Sequence, residues 1–151
     1  MIIYLGADHK GFKLKEYLKN SLKEKGYEIV DLGNDSYDEN DDYPDFASAV
    51  AQRVSVDYEQ SRGILSCGSG VGVDVVANKF KNVRSALANT SNQAFDSRND
   101  DDTNVLSLAA DYLTPEEALK TVEVWLTTPF SGETRHQARL KKISEIELED
   151  L

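Results

Sequence analysis

Short apolar runs alternate with amphipathic helical stretches along the whole chain, and a glycine stands at or just beyond the end of each of the first three runs. This alternation predicts an α/β protein: a doubly wound, Rossmann-like three-layer α/β/α sandwich around a five-stranded parallel sheet. Two further observations agree. The 151 residues suit one domain, and 40% of them are hydrophobic, enough for a sizeable core. No internal repeat, linker or second domain interrupts residues 1–151, so a single domain is expected.

The elements follow in order. Ile2 to Leu5 is a short apolar run closed by Gly6, the pattern of a buried strand. Residues 10–25 carry Leu14, Leu18 and Leu22 on one helical face with Tyr17 beside them, and Gly26 stops the helix. Tyr27 to Leu32 reads as the second strand. Gly33 to Tyr43 is rich in Asp and Glu and has no aliphatic residue, which predicts an exposed loop. Pro44 opens a helix with Phe46, Ala47, Val50 and Val54 on one face. Gly63 to Ser66 is the third strand; a glycine-rich turn, Gly68-Ser69-Gly70-Val71-Gly72, hands over to a helix through about Lys79. Val83 to Ala88 is the fourth strand, 91–98 a helix, and Val105 to Leu108 the fifth strand. Thr114-Pro115-Glu116-Glu117 has the capping-box spacing of a helix start, and Ala118, Val122 and Trp125 form the buried face that follows, flanked by Leu119 and Leu126. A last helix runs from about Thr134 to Leu148.

Charge narrows the function classes. Lys and Arg number 17 against 27 Asp and Glu, a net charge of −10. Such a surface repels nucleic acid and anionic lipid. No apolar run approaches the roughly 18 residues of a membrane span. The chain starts directly with Ile2-Ile3-Tyr4-Leu5-Gly6, so no leader is expected. Cys67 is the single cysteine and forbids an internal disulfide. A soluble, cytoplasmic domain is expected.

In doubly wound folds ligands bind beyond the carboxyl ends of the strands, so the loops starting at Ala7, Gly33, Ser66, Ala88 and Ala109 are the places to search. Ser66-Cys67-Gly68-Ser69-Gly70-Val71-Gly72 stands at such a strand-to-helix handover. Glycines there let the backbone turn tightly and present N–H groups to an anion, and a helix start favours a thiolate at Cys67. The segment is neither a dinucleotide fingerprint, whose third glycine would come one residue later, nor a phosphate loop, which needs Gly-Lys-Ser/Thr. A tight turn with an inert, buried cysteine is the competing interpretation. After the first strand, Asp8 and His9 lie within Gly6-Ala7-Asp8-His9-Lys10-Gly11; alternatively Asp8 only caps the next helix and His9 is a surface residue. Arg135 and Arg139 are four apart, so they share a helical face able to grip a phosphate, or else form a solvated basic face. The acidic runs 35–45 and 99–102 match no EF-hand, and with only His9 and His136 no zinc set is suggested.

Taken together, Gly6-Ala7-Asp8-His9-Lys10-Gly11, Asp42-Tyr43-Pro44-Asp45-Phe46-Ala47, Ser66 to Gly72, Ala77-Asn78-Lys79, Val83-Arg84-Ser85-Ala86-Leu87, Asp102-Thr103-Asn104-Val105-Leu106 and Arg135-His136-Gln137-Ala138-Arg139 resemble ribose-5-phosphate isomerase type B, in the superfamily that includes the galactose-6-phosphate isomerase subunits. The resemblance runs in order from residue 2 to about 146. It implies an aldose–ketose isomerase acting on ribose 5-phosphate and ribulose 5-phosphate without metal or organic cofactor. It also implies a homodimer or tetramer with sites shared between subunits and the C-terminal helix at the dimer interface. By resemblance, Cys67 is the base that moves the proton between C1 and C2, and Ser69 a hydroxyl that helps handle protons. The amides of Gly68, Gly70, Val71 and Gly72 would hold the enediolate oxygen, Asp8 and Tyr43 the sugar hydroxyls, and His9, Arg135 and Arg139 the phosphate.

The chain departs from that family at three positions. The ring-opening histidine is replaced by Asp100, the following substrate-contacting asparagine by Asp101, and a phosphate-binding arginine falls at Asp111. All three changes are toward acid, in a region that the resemblance turns toward the neighbouring subunit's site. Asp111 there would repel a phosphate. Three alternatives follow: an isomerase of another aldose or sugar phosphate, a non-catalytic sugar-binding partner subunit, or a divalent ion held by Asp100–Asp102.

Overall fold

The computed structural model describes residues 1–149. Among them strands and helices alternate as β1 (Ile2–Ala7), α1 (Phe12–Glu24), β2 (Glu28–Asp31), α2 (Tyr43–Val56), β3 (Ser61–Cys67), α3 (Val71–Ala77), β4 (Ser85–Leu87), α4 (Ser91–Asp101), β5 (Val105–Ala109), α5 (Pro115–Thr127) and α6 (Thr134–Leu148). The five strands pair in parallel in the order β2-β1-β3-β5-β4. The α/β/α sandwich expected from the alternation of elements is the fold observed.

Successive side chains of a strand point to opposite faces, and each face has its own core. Ile3, Leu5, Ile64, Leu106 and Leu108 pack with Leu14, Leu18 and Leu22 of α1 and Ala118, Val122 and Trp125 of α5. Leu65 and Val105 pack on the other face with Ala47, Val50 and Val54 of α2 and Val73 and Ala77 of α3. Trp125 has no exposed surface, and its indole N–H donates to Thr103 Oγ1 at 2.9 Å. The Thr114–Glu117 capping box forms as its spacing predicts.

Several boundaries move, those of three elements with a clear physical cause. The fourth strand shrinks to Ser85–Leu87, because Asn82 takes a left-handed conformation (φ 64°) and the Arg84 N–H donates to the Asn104 side chain rather than to a neighbouring strand. Helix α3 ends at Ala77, where the Asn78 side chain donates to the Asp74 and Ser85 carbonyls and accepts from the Ser85 N–H. Helix α4 runs on to Asp101 and is ended by Asp102 in the left-handed region (φ 46°). The acidic run 99–102 is therefore mostly a last helical turn.

Close packing of α2 on the sheet depends on two glycines. A Cβ on Gly63 would lie 2.7 Å from Val50 Cγ1, and one on Gly6 would lie 2.9 Å from Val50 Cγ2. Gly63→Ala is expected to cost about 1–3 kcal/mol through overpacking. Urea unfolding checks this: the midpoint should fall at unchanged slope, and an unmoved midpoint would mean that α2 does not approach β3 this closely.

Candidate functional site

Parallel register sets Ala7 opposite Ser66 and Cys67 opposite Ala109. The loops after β1, β3 and β5 thus leave the sheet level with one another. The first two border a cleft of about 450 Å³ that gathers Asp8, His9 and Lys10 from the end of β1 and Cys67, Gly68 and Ser69 from the end of β3. Tyr43, Val71 and Gly72 complete the lining.

The glycine turn is fixed from several sides. The Ala110 N–H donates to the Cys67 carbonyl and the Asp111 N–H to the Gly68 carbonyl, both at 2.9 Å. Gly70 is left-handed (φ 73°), and a Cβ there would meet Leu87 Cδ1 at 2.5 Å. The Tyr43 ring lies against Gly72, where a Cβ would come 2.7 Å from its Cε2 and Cζ. A Cβ on Gly11 would collide with the Ser66 carbonyl, so the β1–α1 loop also sits directly on the end of β3. The Val71 N–H donates to Ser69 Oγ at 3.2 Å. Cys67, 4% exposed, packs with the α2 and α3 core and opens into the cleft, so a buried cysteine and a cleft thiol are the same residue here.

Asp8 is buried, and its Oδ1 accepts the Gly11 N–H at 3.1 Å. It therefore tethers its own loop while lining the cleft. His9 is held by Asp41, whose Oδ1 accepts from both the His9 backbone N–H and ring Nδ1 at 2.8 Å. An ionised carboxylate only accepts, so Nδ1 carries the proton and Nε2 is left for other partners. The hydrogen bond to Asp41 raises the His9 pKa above its usual value; partial desolvation opposes this, and the charges of Asp8 and Asp41 add to it.

Asp41 was not evident from sequence. It lies in the acidic stretch expected to be exposed, yet its side chain is only 8% exposed, and its Oδ2 accepts from Asn34 Nδ2. Its single cue is its position just before Asp42-Tyr43-Pro44. Lys15 was missed too. It sits on the edge of the Leu14–Leu18–Leu22 stripe and is 2% exposed, with Nζ donating to Asp31 Oδ2 and the Asn34 carbonyl, both at 2.7 Å. Burial by itself would raise the Asp31 pKa, but hydrogen bonds from Lys15 and Lys19 outweigh it and leave the pKa lowered. Lys15 thus pins the start of the loop that delivers Asp41.

The remaining expected residues do not line the cleft within one chain. Arg135 and Arg139 are exposed on α6, and Arg135 Nε donates to Glu133 Oε2 at 2.8 Å. Asp100 lies 3.5 Å from Nε2 of His136, whose two ring nitrogens are buried without a hydrogen-bond partner among the described residues. Asp101 borders a separate groove with Ile143 and Ile146, while Asp102 pairs with Arg98 at 2.7 Å. Asp100, Asp101 and Asp102 therefore border three different surroundings. Asp111 corrects the expectation that it shares one region with Asp100 and Asp101: its carboxylate lies beside Gly68 and 3.8 Å from Lys10 Nζ.

Asp41→Asn removes the main cause of the raised His9 pKa, so NMR titration should show the ring titrating at lower pH in the variant. A raised folded-state pKa contributes stability that is present below the unfolded value, about 6.5, and lost as pH rises through the folded value. The stability gap between wild type and variant should accordingly narrow on going from mildly acidic to alkaline pH. An unmoved titration would show that Asp41 does not hold the ring.

The ribose/galactose isomerase family model matches residues 3–143. Ribose-5-phosphate isomerase B of Mycobacterium tuberculosis is 40% identical over 147 residues, covering 97% of this chain and 90% of that protein. The crystal structure of ribose-5-phosphate isomerase B from Mycoplasma genitalium with bound ribulose-5-phosphate superposes with a TM-score of 0.95 at 42% identity, covering 98% of this chain and 97% of that one. The type B enzyme of Trypanosoma cruzi gives 0.91 at 37% identity, covering 97% and 98%. With the cleft at the carboxyl ends of β1 and β3 and a match along nearly its whole length, the chain belongs to the ribose/galactose isomerase family.

Proposed function

We propose that the chain is an aldose–ketose isomerase that interconverts ribose 5-phosphate and ribulose 5-phosphate, in the cytoplasm, as a step of pentose phosphate metabolism. The observation that carries this is the Cys67 thiol at the end of β3, opening beside the glycine turn into the cleft that holds Asp8, His9 and Tyr43.

The chemistry follows from the placement. A base removes the proton on C2 of the open-chain aldose and returns it to C1, while the hydroxyl proton moves from O2 to O1. Cys67 as thiolate performs the carbon-to-carbon transfer, and Ser69 is positioned for the oxygen protons. Negative charge that develops on oxygen is stabilised by preorganised N–H groups of the turn. The Val71 amide already donates to Ser69, so the remaining amides carry that task. Asp8 and Tyr43 orient the sugar hydroxyls, and His9, with Nδ1 committed to Asp41, presents Nε2 to the anionic end. Binding energy from that end is available for positioning the reacting carbons.

Asp100, Asp101, Arg135 and Arg139 lie away from the cleft of their own chain, which supports a shared site in a homodimer, with α6 at the subunit interface and Asp100 serving ring opening across it. The single folded unit of residues 1–149 then supplies two half-sites, one at the cleft and one at the α4–α6 end.

Cys67→Ala is expected to abolish isomerisation of ribose 5-phosphate by a factor of about 10³ or more with the fold retained. Mixing Cys67→Ala with Arg139→Ala protein should restore activity, because mixed dimers contain one intact site. Full activity of the Cys67 variant would remove the thiol from the mechanism, and failure of the mixture to recover would place all contributing residues on one chain.

A further inference from the structure

We infer that Arg62 and Arg84 form an anion site at the amino-terminal ends of the strands, where the protein takes a phosphate group, free or at the end of a small ester. This is the opposite end of the parallel sheet from the Cys67 cleft, and the site does not depend on the isomerase reaction. Arg62 is the second residue of β3, while Arg84 and Asn104 directly precede β4 and β5. Together with Tyr58, Glu59 and Asp102 they line a pocket of about 250 Å³. Pockets for drug-sized ligands run from about 300 Å³ upward, so this one suits a small ion or ester.

The charges in this pocket do not balance. Arg98, buried behind it, is committed inward: Nε donates to the Thr128 carbonyl, and Nη1 to Asp102 Oδ1 and the Thr103 carbonyl. Arg84 donates from Nε to the Asp101 carbonyl and from Nη2 to the Asp102 carbonyl, both at 2.9 Å, which leaves Nη1 without a partner among the described residues. Arg84 and Arg98 thus share the Asp102 carboxylate. Arg62 has no such partner: Nη1 donates to the Ser61 carbonyl at 2.8 Å, and Nε and Nη2 meet no acceptor among the described residues. Glu59 is exposed and pairs with neither arginine. Burial pushes the Arg62 pKa below its usual value; the charge of Arg98 adds to this, Asp102 opposes it, and Arg84 adds again. A guanidinium keeps its proton in a protein, so the imbalance is met by an anion rather than by deprotonation. Free N–H groups on two guanidiniums are the donors that phosphate oxygens bind best. Because the two guanidiniums come from separate strands, an ion with more than two acceptor oxygens is required, which a phosphate has and a carboxylate lacks. In a chain of net charge −10, this local excess of positive charge is where an anion is held. Arg84 also ties the Asp101 and Asp102 carbonyls, so an anion here steadies the last turn of α4.

Titration of the full chain with inorganic phosphate, at ionic strength held constant with sodium chloride and followed by heteronuclear NMR, tests this. The Gly63 and Asn104 amides and the side-chain N–H signals of Arg62 and Arg84 should shift together and saturate. In Arg62→Gln the same amides should report an affinity lower by about tenfold or more, while the Gly68 to Gly72 amides of the cleft respond as in the wild type. Arg62→Lys keeps the charge but loses the planar fork, and should bind with intermediate affinity. Glycerol 3-phosphate in place of phosphate separates the two sources: tighter binding marks an ester, and equal or weaker binding the free ion. Absence of saturable shifts at Gly63 and Asn104 in the wild type overturns the site. So does an affinity that Arg62→Gln leaves unchanged, or a loss in that variant that the cleft amides share.

Discussion

Everything at the cleft depends on the register of three parallel strands. Because Ala7 pairs with Ser66 and Cys67 with Ala109, the chain leaves β1, β3 and β5 at one level. A shift of one residue would reverse the facing of every side chain in the shifted strand. Cys67 would then leave its packing against α2 and α3, and the carbonyls that now accept from Ala110 and Asp111 would point elsewhere. The two cores enforce the register, since Leu65 and Ile64 are adjacent in sequence and each belongs to a different face. The site is a by-product of that packing, finished by glycines where strands, turn and helix must nearly touch.

Around this fixed floor, charge is arranged in layers. The buried Lys15 ammonium meets Asp31 and an Asn34 carbonyl, and that contact sets the path of the acidic loop. The loop returns Asp41 to His9, so a buried cation on α1 governs the orientation of an imidazole at the cleft through a chain of short polar contacts. Breaking one partner of a buried pair costs more than the pair contributes as a whole, because the other charge is stranded. The acidic loop is therefore coupled to the site through residues that touch no ligand, whereas Lys10 and Asp111 lie at the rim, where solvent screens them.

The sheet and its helices were legible because their signals are local: the Leu14–Leu18–Leu22 stripe, the Thr114–Glu117 box and the short strands closed by glycine all act within a few residues. Element ends were less legible where a distant partner decides them, as at Arg84, whose N–H is taken by Asn104, and at Asn78, which bridges α3 and β4. The cleft residues Asp8, His9, Tyr43, Cys67 and Ser69 lie at strand ends or helix starts, where fold topology alone directs attention. Asp41 and Lys15 act through tertiary contacts 32 and 16 residues away, and the charge of either looks in sequence like that of its neighbours. Asp111 was misplaced for the opposite reason: proximity along the chain to Asp100 and Asp101 suggested a shared location, but β5 lies between them and carries it to the other end of the sheet.

The crowding around the glycine turn has an evolutionary consequence. At Gly11, Gly68, Gly70 and Gly72 any side chain would strike backbone, a ring or a neighbouring side chain, so these positions offer almost no room for drift. Positions 10 and 111 border the same turn but point their charged ends toward solvent, and exchanges there leave the packing untouched. Charge at the rim can therefore change while the turn that carries the thiol keeps its packing.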